Sequence, residues 1–189
     1  MCHHNHLKGI IVSLENTFTQ IAAINEMVGN HAGSERQALI RQAKILRSEI
    51  DELIEGLEAN DMHEIRDGQA DVAFVLAGFE HMSGIPIVPD LQAVIRSNLS
   101  KFDRTHLDAI LTAEKYDALG LKTRCEVRTV PAELREQLGE SVYVTYVDGN
   151  QLFNDKSVPD GKWMKSHKFQ EPVFDHNEGS EEHVAGNQE

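Results

Sequence analysis

Apolar residues recur at three- and four-residue steps through most of the first 120 positions, and then the period changes. From Ile10 to Val28 the positions Ile11, Leu14, Phe18, Ile21 and Met27 predict a helix, with Gly29 and Gly33 as a break after it. From Ser34 to Asn60 the positions Leu39, Ala43, Leu46, Ile50, Leu53 and Leu57 predict the seam of a bundled helix, with Ser34 as its N-cap. Glu49 lies at the edge of that seam. Ile45, Glu49 and Glu52 run as a stripe beside it, while Asp51, Glu55 and Glu58 read as a solvated face. Asp61 and Glu64 have the spacing of a capping box and open a third helix that runs to Ser83. Its predicted buried face is Ile65, Val72, Leu76 and Phe79. Between Gln69 and Phe79 Asp71 is the only charge, which predicts burial on most sides. Gly84 closes this helix, and Pro89 predicts the first turn of a fourth. Along that fourth helix Leu91, Val94, Asn98 and Lys101 form one line, in which two polar residues continue two apolar ones. "HLDAILTAEKYDALG" predicts a fifth helix, ended by Gly120.

Past Leu121, "KTRCEVRTV" and "SVYVTYV" alternate and are rich in β-branched residues and tyrosine, the mark of strands. "DGN" and "PDG" are turn signals, and "AELREQL" is a helical interruption. The expected fold is therefore mainly α, a helical bundle with a small C-terminal antiparallel β appendage from about Cys125 to Lys165. The expected organisation is a helical domain over 9–121, a β-containing extension over 122–174 and an acidic, disordered tail over 175–189.

Composition narrows the partners more than the fold. A 40% hydrophobic and 26% charged chain of 189 residues suits one soluble domain with an appendage. No apolar run approaches the roughly 20 residues of a membrane helix, and the opening lacks the apolar core of a secretory signal. With two cysteines, Cys2 and Cys125, no disulfide framework is implied, and the cytoplasm is the expected compartment. Cys2, His3, His4 and His6 crowd the N-terminus, where such a cluster reads as a disordered end more readily than as a metal site. A net charge of −13 argues against polymeric nucleic acid, whose binding depends on phosphate contacts. Small phosphorylated ligands stay open, because charge beyond about 8–10 Å is screened at physiological salt.

The acids carry the chemistry. Glu49 and Glu52 are three residues apart on one predicted helix; Asp67 and Asp71 are four apart on its neighbour, with Glu64 on the same stripe. A short loop between the helices predicts antiparallel packing, which would gather these carboxylates. Acids beside a core need a positive partner, and a hard divalent cation such as Mg²⁺ takes oxygen ligands of this kind. The plainer reading makes them surface acids, or partners of Lys44, Arg47 and Arg66.

An E-x-x-E pair, a short gap and then acids opening an apolar helix resemble the all-α nucleoside triphosphate pyrophosphohydrolases. That superfamily includes MazG-like proteins, dimeric dUTPases and phosphoribosyl-ATP pyrophosphohydrolases, and the resemblance is nearest the phage and bacterial MazG-like branch. It rests on an ordered series: "SEIDELIEGL", "EIRDGQADVAFVLAGFEHMSGI", "VIRSNLSKF", "AEKYDALGL" and "DGKWMKSHKFQEPVF", spanning most of Ile10 to Phe174. The resemblance implies a cytoplasmic, Mg²⁺-dependent (or Mn²⁺-dependent) enzyme of a bacterial or phage-infected cell. It would cleave between the α- and β-phosphates of (deoxy)nucleoside triphosphates and release pyrophosphate. By position Glu49 and Glu52 match the first acidic pair and carry catalysis; with Asp71, and with Asp67 or Glu64, they would hold metal. Asn98 and Lys101 match the polar residues of its S-N-x-S-K stretch, for which phosphate or nucleotide contact is implied, and Lys162 and Lys165 fall on a basic strand that would close over the substrate. A homodimer or homotetramer is expected, and the apolar run Ala70–Phe79 suits subunit packing.

Two departures bear on this. The usual second motif is E-x-x-D, but Gly68 stands three residues before Asp71, and Ser48 replaces a further glutamate. The alternatives are a specialised phosphoribosyl-ATP-type hydrolase and a non-catalytic helical interaction module. Phe18, Phe74 and Trp163 are the aromatics open to base stacking, and each is equally a core candidate.

Overall fold

An antiparallel helical hairpin, α2 (Arg36–Glu58) and α3 (Met62–Ser83), forms the body of the first of two compact units. The computed structural model describes residues 14–174, and the units divide between Ile87 and Val88. The sequence readings for Cys2, His3, His4, His6 and for 175–189 lie outside the described residues.

The hairpin turn is made by its own sequence. Asn60 takes a left-handed φ of 52°, which asparagine tolerates, and the Asp61 N–H donates to the Gly56 carbonyl at 2.9 Å. The Asp61 carboxylate then caps α3, accepting from the His63 and Glu64 amides. Gly84, at φ 68°, ends the helix as expected. Glu64 does not complete a capping box; its carboxylate lies 3.4 Å from His63 Nδ1.

Two glycines let the helices meet backbone to backbone. A Cβ on Gly68 would stand 3.0 Å from Leu53 Cα, and one on Gly56 would stand 3.0 Å from Glu64 Cβ. This contact rotates α2 from the expected seam. Ile50 and Leu57 are exposed, and the inward line runs through Gln42, Leu46, Glu49, Leu53 and Gly56. On α3 the inward residues are Ile65, Gly68, Val72, Val75 and Met82. The stretch Gln69–Phe79 is thus not buried on most sides: Phe74 and Leu76 face outward.

α1 (Leu14–Met27) packs on α3. The space beside Gly78 is filled by buried amides, Asn25 donating to the Ile21 carbonyl and Gln42 to the Val75 carbonyl. Glu26 clasps the end of this layer, 2.6 Å from His31 Nδ1 and 2.8 Å from His81 Nε2. Ser34 is not the N-cap of α2. Glu35 holds that place without a side-chain bond, because Ser34 Oγ donates to the His31 carbonyl at 2.6 Å within the loop.

The second unit contains α5 (His106–Asp117), β1 (Thr123–Thr129), α6 (Arg135–Leu138), β2 (Ser141–Val147), β3 (Gln151–Phe153) and β4 (Lys156–Val158); α4 (Ile87–Leu99) leads into it. β1 and β2 pair antiparallel from Thr123↔Val147 to Thr129↔Ser141. β2 feeds two apolar clusters. Val142 and Val144 join Val130 and Leu138, whereas Val147 joins Tyr116, Leu121, Val158 and Met164. The single expected sheet is two separate pairs. Gly149, at φ 75°, turns the chain after β2, and β3–β4 closes on left-handed Asn154 and Asp155. Lys162 and Lys165 consequently lie outside the named strands, where Trp163 makes an isolated bridge to Tyr146. The described chain is mainly helical with two small antiparallel sheets, and no single described helix is long and apolar enough to cross a membrane.

Candidate functional site

The contacts of Gly56 with Glu64–Ile65 and of Gly68 with Leu53 fix the hairpin register. One turn further along, that register sets Glu49 on α2 against Asp71 and Val72 on α3. Glu49 is half-buried, while Glu52, Asp67 and Asp71 are exposed around it. Burial, followed by the charges of Glu52, Asp71 and Asp67, pushes the Glu49 carboxyl above its ordinary range. The charges of three carboxylates, from both helices, therefore act on Glu49. None of the four has an ion pair to a basic side chain among the described residues, so Lys44, Arg47 and Arg66 do not neutralise them; Arg47 lies 4.0 Å from Asp51 instead.

Glu64 is placed differently. Its Cβ lies against Gly56 at the turn end of the hairpin, its carboxylate is beside His63, and it is not among the charges that act on Glu49. The Gly68 departure also has a structural cause. A glutamate three residues before Asp71 would have to occupy the backbone contact with Leu53, while Asp67, one position earlier, is exposed and its charge acts on Glu49.

The cluster has the donor chemistry for a hard divalent cation: oxygen ligands, excess negative charge and partial exposure to water. Even so, no group of three or more His, Cys, Asp or Glu side chains among the described residues is gathered tightly enough to hold a metal ion. The charges converge, but a full coordination shell is not prearranged.

The other expected contacts lie in the second unit. Asn98 is half-buried near the end of α4, and its carbonyl accepts from the Lys101 amide. The Lys101 ammonium sits 4.7 Å over the Trp163 ring, which is itself packed on Phe102 at 4.8 Å. Trp163 is thus part of a core wall, and its indole faces Phe102 and Lys101. Lys162 is exposed, and its carbonyl accepts from Val147. Lys165 pairs with Glu171 at 2.8 Å and lies over Phe169. The serines of the S-N-x-S-K stretch are structural staples, because Ser97 donates to the Gln170 carbonyl and Ser100 accepts from the Gln170 amide.

Sequence reasoning missed several residues. Lys115 donates to the carbonyls of Lys165 and Ser166, and burial, then the Lys165 charge, lowers its pKa. Asp103 is 1% exposed and accepts from Ser166 Oγ at 2.5 Å. Asp108 is ringed by Lys168, Thr105 and His167, which hold its carboxyl down to about 2. Spacing gives no sign of these pairings, since the partners are some 50 to 60 residues apart. No family model, curated protein or solved structure matches the chain.

Proposed function

We propose that this protein is a metal-dependent nucleoside triphosphate pyrophosphohydrolase that releases a nucleoside monophosphate and pyrophosphate, with Glu49, Glu52, Asp67 and Asp71 as its catalytic cluster. The observation that supports this reading most is the convergence of four carboxylates from both arms of one hairpin, unneutralised by any basic side chain among the described residues. The ordered resemblance to the all-α pyrophosphohydrolases supports the same reading and extends it to their bundle type.

Glu49, Glu52, Asp67 and Asp71 would hold Mg²⁺ or Mn²⁺, with waters completing a shell the side chains leave open; Glu64, at the turn end, would support α3 instead. A bound cation supplies charge neutralisation for the triphosphate and a more acidic attacking water. Glu52, or Glu49 beside it, would accept the proton of the attacking water. Asn98, Lys101, Lys162 and Lys165 are the proposed phosphate contacts. The apolar side chains exposed on the first unit, Ile50, Ile54, Leu57, Phe74 and Leu76 among them, suit burial in a homodimer or homotetramer.

The test is a product assay on a panel of dNTPs with Mg²⁺. Pyrophosphate and the monophosphate should appear in equal amounts, and Glu52→Gln or Asp71→Asn should abolish both while the helical circular dichroism is retained. Full turnover in both variants would remove this site. The loosely gathered acids and the same exposed apolar face favour a second reading, a non-catalytic helical module that binds partners through α2 and α3. Absence of any Mg²⁺-dependent pyrophosphate release would select it.

A further inference from the structure

The two edges of the β1–β2 pair are finished differently. On β2, Tyr143 exchanges both backbone bonds with Asp103, and the Met164 amide donates to the Thr145 carbonyl. The Val147 amide donates to Lys162 while its carbonyl accepts from Gly161, so that edge is closed. On β1 the phase is set just beyond the strand ends, by the Asp148 amide on the Lys122 carbonyl and the Val130 amide on the Glu140 carbonyl. Between them the ladder alternates. The N–H and C=O groups of Arg124, Glu126 and Arg128 turn toward β2, and those of Thr123, Cys125, Val127 and Thr129 turn away from it. None of these outward groups has a backbone partner among the described residues.

A bare edge is a template for another strand unless it is short, bulged or interrupted by proline. β1 has 7 residues, is paired residue for residue from Thr123 to Thr129, and contains neither bulge nor proline. Val127, central among the residues with free backbone groups, is 62% exposed, and Cys125 is exposed as well. The charges of the strand are mixed in sign. Arg124, Glu126 and Arg128 share one face, and Glu126 pairs with both arginines along the strand. Charges of one sign would repel a second copy of the strand in every register, whereas mixed signs select among registers.

We propose that β1 pairs antiparallel with β1 of a second copy, about a two-fold axis at Val127, and joins two β1–β2 pairs into one four-stranded sheet. Two-fold registers that bring the free backbone groups together are centred on Cys125, Glu126 or Val127. Centring on Glu126 sets that glutamate against its own copy and Arg124 against Arg128. Centring on Cys125 sets Arg124 against Glu126, but also Lys122 against Arg128. Centring on Val127 sets Glu126 of each copy against Arg128 of the other and Cys125 against Thr129, with no like charges directly opposite. That register supplies roughly six ladder bonds and covers the two exposed valines with one another. A second copy fits better than an unrelated extended peptide because the strand is its own charge complement. The surface belongs to the second unit, and the exposed apolar side chains of the first are not part of it. Pairing through β1 does not depend on the hydrolase reading.

Site-specific cross-linking reads the register. In the full chain carrying Cys2→Ser and Cys125→Ser, Val127→Cys places two thiols across the axis, where paired Cα atoms stand about 5.5 Å apart, within disulfide reach. Mild oxidation should give a covalent dimer. Thr123→Cys in the same background would lie roughly 27 Å from its own copy and should give none. Adding Glu126→Arg or Arg128→Glu to the Val127→Cys chain sets like charges opposite, and each should lower the dimer yield at least about fivefold. Mixing those two variants restores opposite charges across the axis, so a mixed dimer should form at the yield of the Val127→Cys chain. No effect within one chain reproduces that rescue. Absence of a cross-link at Val127→Cys would overturn the proposal and leave the edge to an extended peptide from elsewhere. Equal cross-linking at Thr123→Cys, a yield indifferent to the charge variants, or oxidation of the Cys2→Ser chain through Cys125 itself would overturn it as well.

Discussion

The two units build their interiors from opposite materials. The first brings helix backbones together through Gly56 and Gly68 and fills the remaining space with the amides of Asn25 and Gln42. Among its described residues few large apolar side chains are buried: Ile21, Val75 and Met82. The second packs valines of β2 into two apolar clusters and buries single polar groups such as Asp103 and Thr112 at their edges. Close helix packing leaves little room for large side chains, but it draws charges on adjacent faces within range of one another. The packing of the first unit is what makes an acid cluster possible there.

The largest effect should follow from filling the helix contact. Gly68→Glu restores the usual E-x-x-D spacing on paper, yet its Cβ would meet the Leu53 backbone at 3.0 Å. It should destabilise the first unit by about 3 kcal/mol, read as a lower melting temperature, with loss of any hydrolase activity. An active, stable Gly68→Glu protein would mean that the hairpin is not closely packed.

Val144→Ala tests the other interior. Val144 is 3% exposed within the Val130–Leu138 cluster, and the truncation should cost about 2 kcal/mol. Hydrogen exchange should show that loss in β1 and β2 and leave α2 and α3 protected. Equal loosening of both units would show that they do not unfold separately.

Gln42→Ala should cost less, about 1–2 kcal/mol, by removing the bond to the Val75 carbonyl and the side chain that fills the space beside Gly78. Gln42→Met, similar in volume, should recover the packing share alone. Recovery of full stability would show that the buried amide adds nothing beyond its volume.

The smallest effects concern acid. His31, the Ala32 amide and His81 hold the Glu26 carboxyl down to about 2, and Lys168 first of all does the same for Asp108 in the second unit. A depressed carboxylate contributes stability that is present above its unfolded value near 4 and is lost as pH falls toward 2. Glu26→Gln and Asp108→Asn should each flatten part of the acid-unfolding curve between about pH 4 and 2. A curve unchanged by either variant would show that the contacts are absent in solution.

Periodicity located the helices well, because a 3.6-residue repeat survives small errors of phase. Asp61 and Gly84 marked the ends of α3 through local chemistry that involves only neighbouring residues. The phase itself was not legible. Ile50 and Leu57 outrank Gly56 in any hydrophobic pattern, yet Gly56 is buried and they are exposed, because the contact is set by the lack of a side chain. The acid cluster was legible in type and spacing, since three- and four-residue steps imply a shared face. The separation of Glu64 from the other four needed the hairpin register. The Asp103–Ser166 and Asp108–Lys168 contacts join distant stretches, and no local pattern announces them.

The most direct test of the central claim, that close hairpin packing gathers Glu49, Glu52, Asp67 and Asp71 into a divalent-cation site, is calorimetric titration with Mn²⁺ in the presence of a non-hydrolysable dNTP analogue. The wild-type chain should bind the metal, Asp71→Asn and Glu49→Gln should each weaken binding by about tenfold or more, and Glu64→Gln should leave it nearly unchanged. Absence of metal binding by the wild type, or equal binding by Asp71→Asn and Glu49→Gln, would contradict the account.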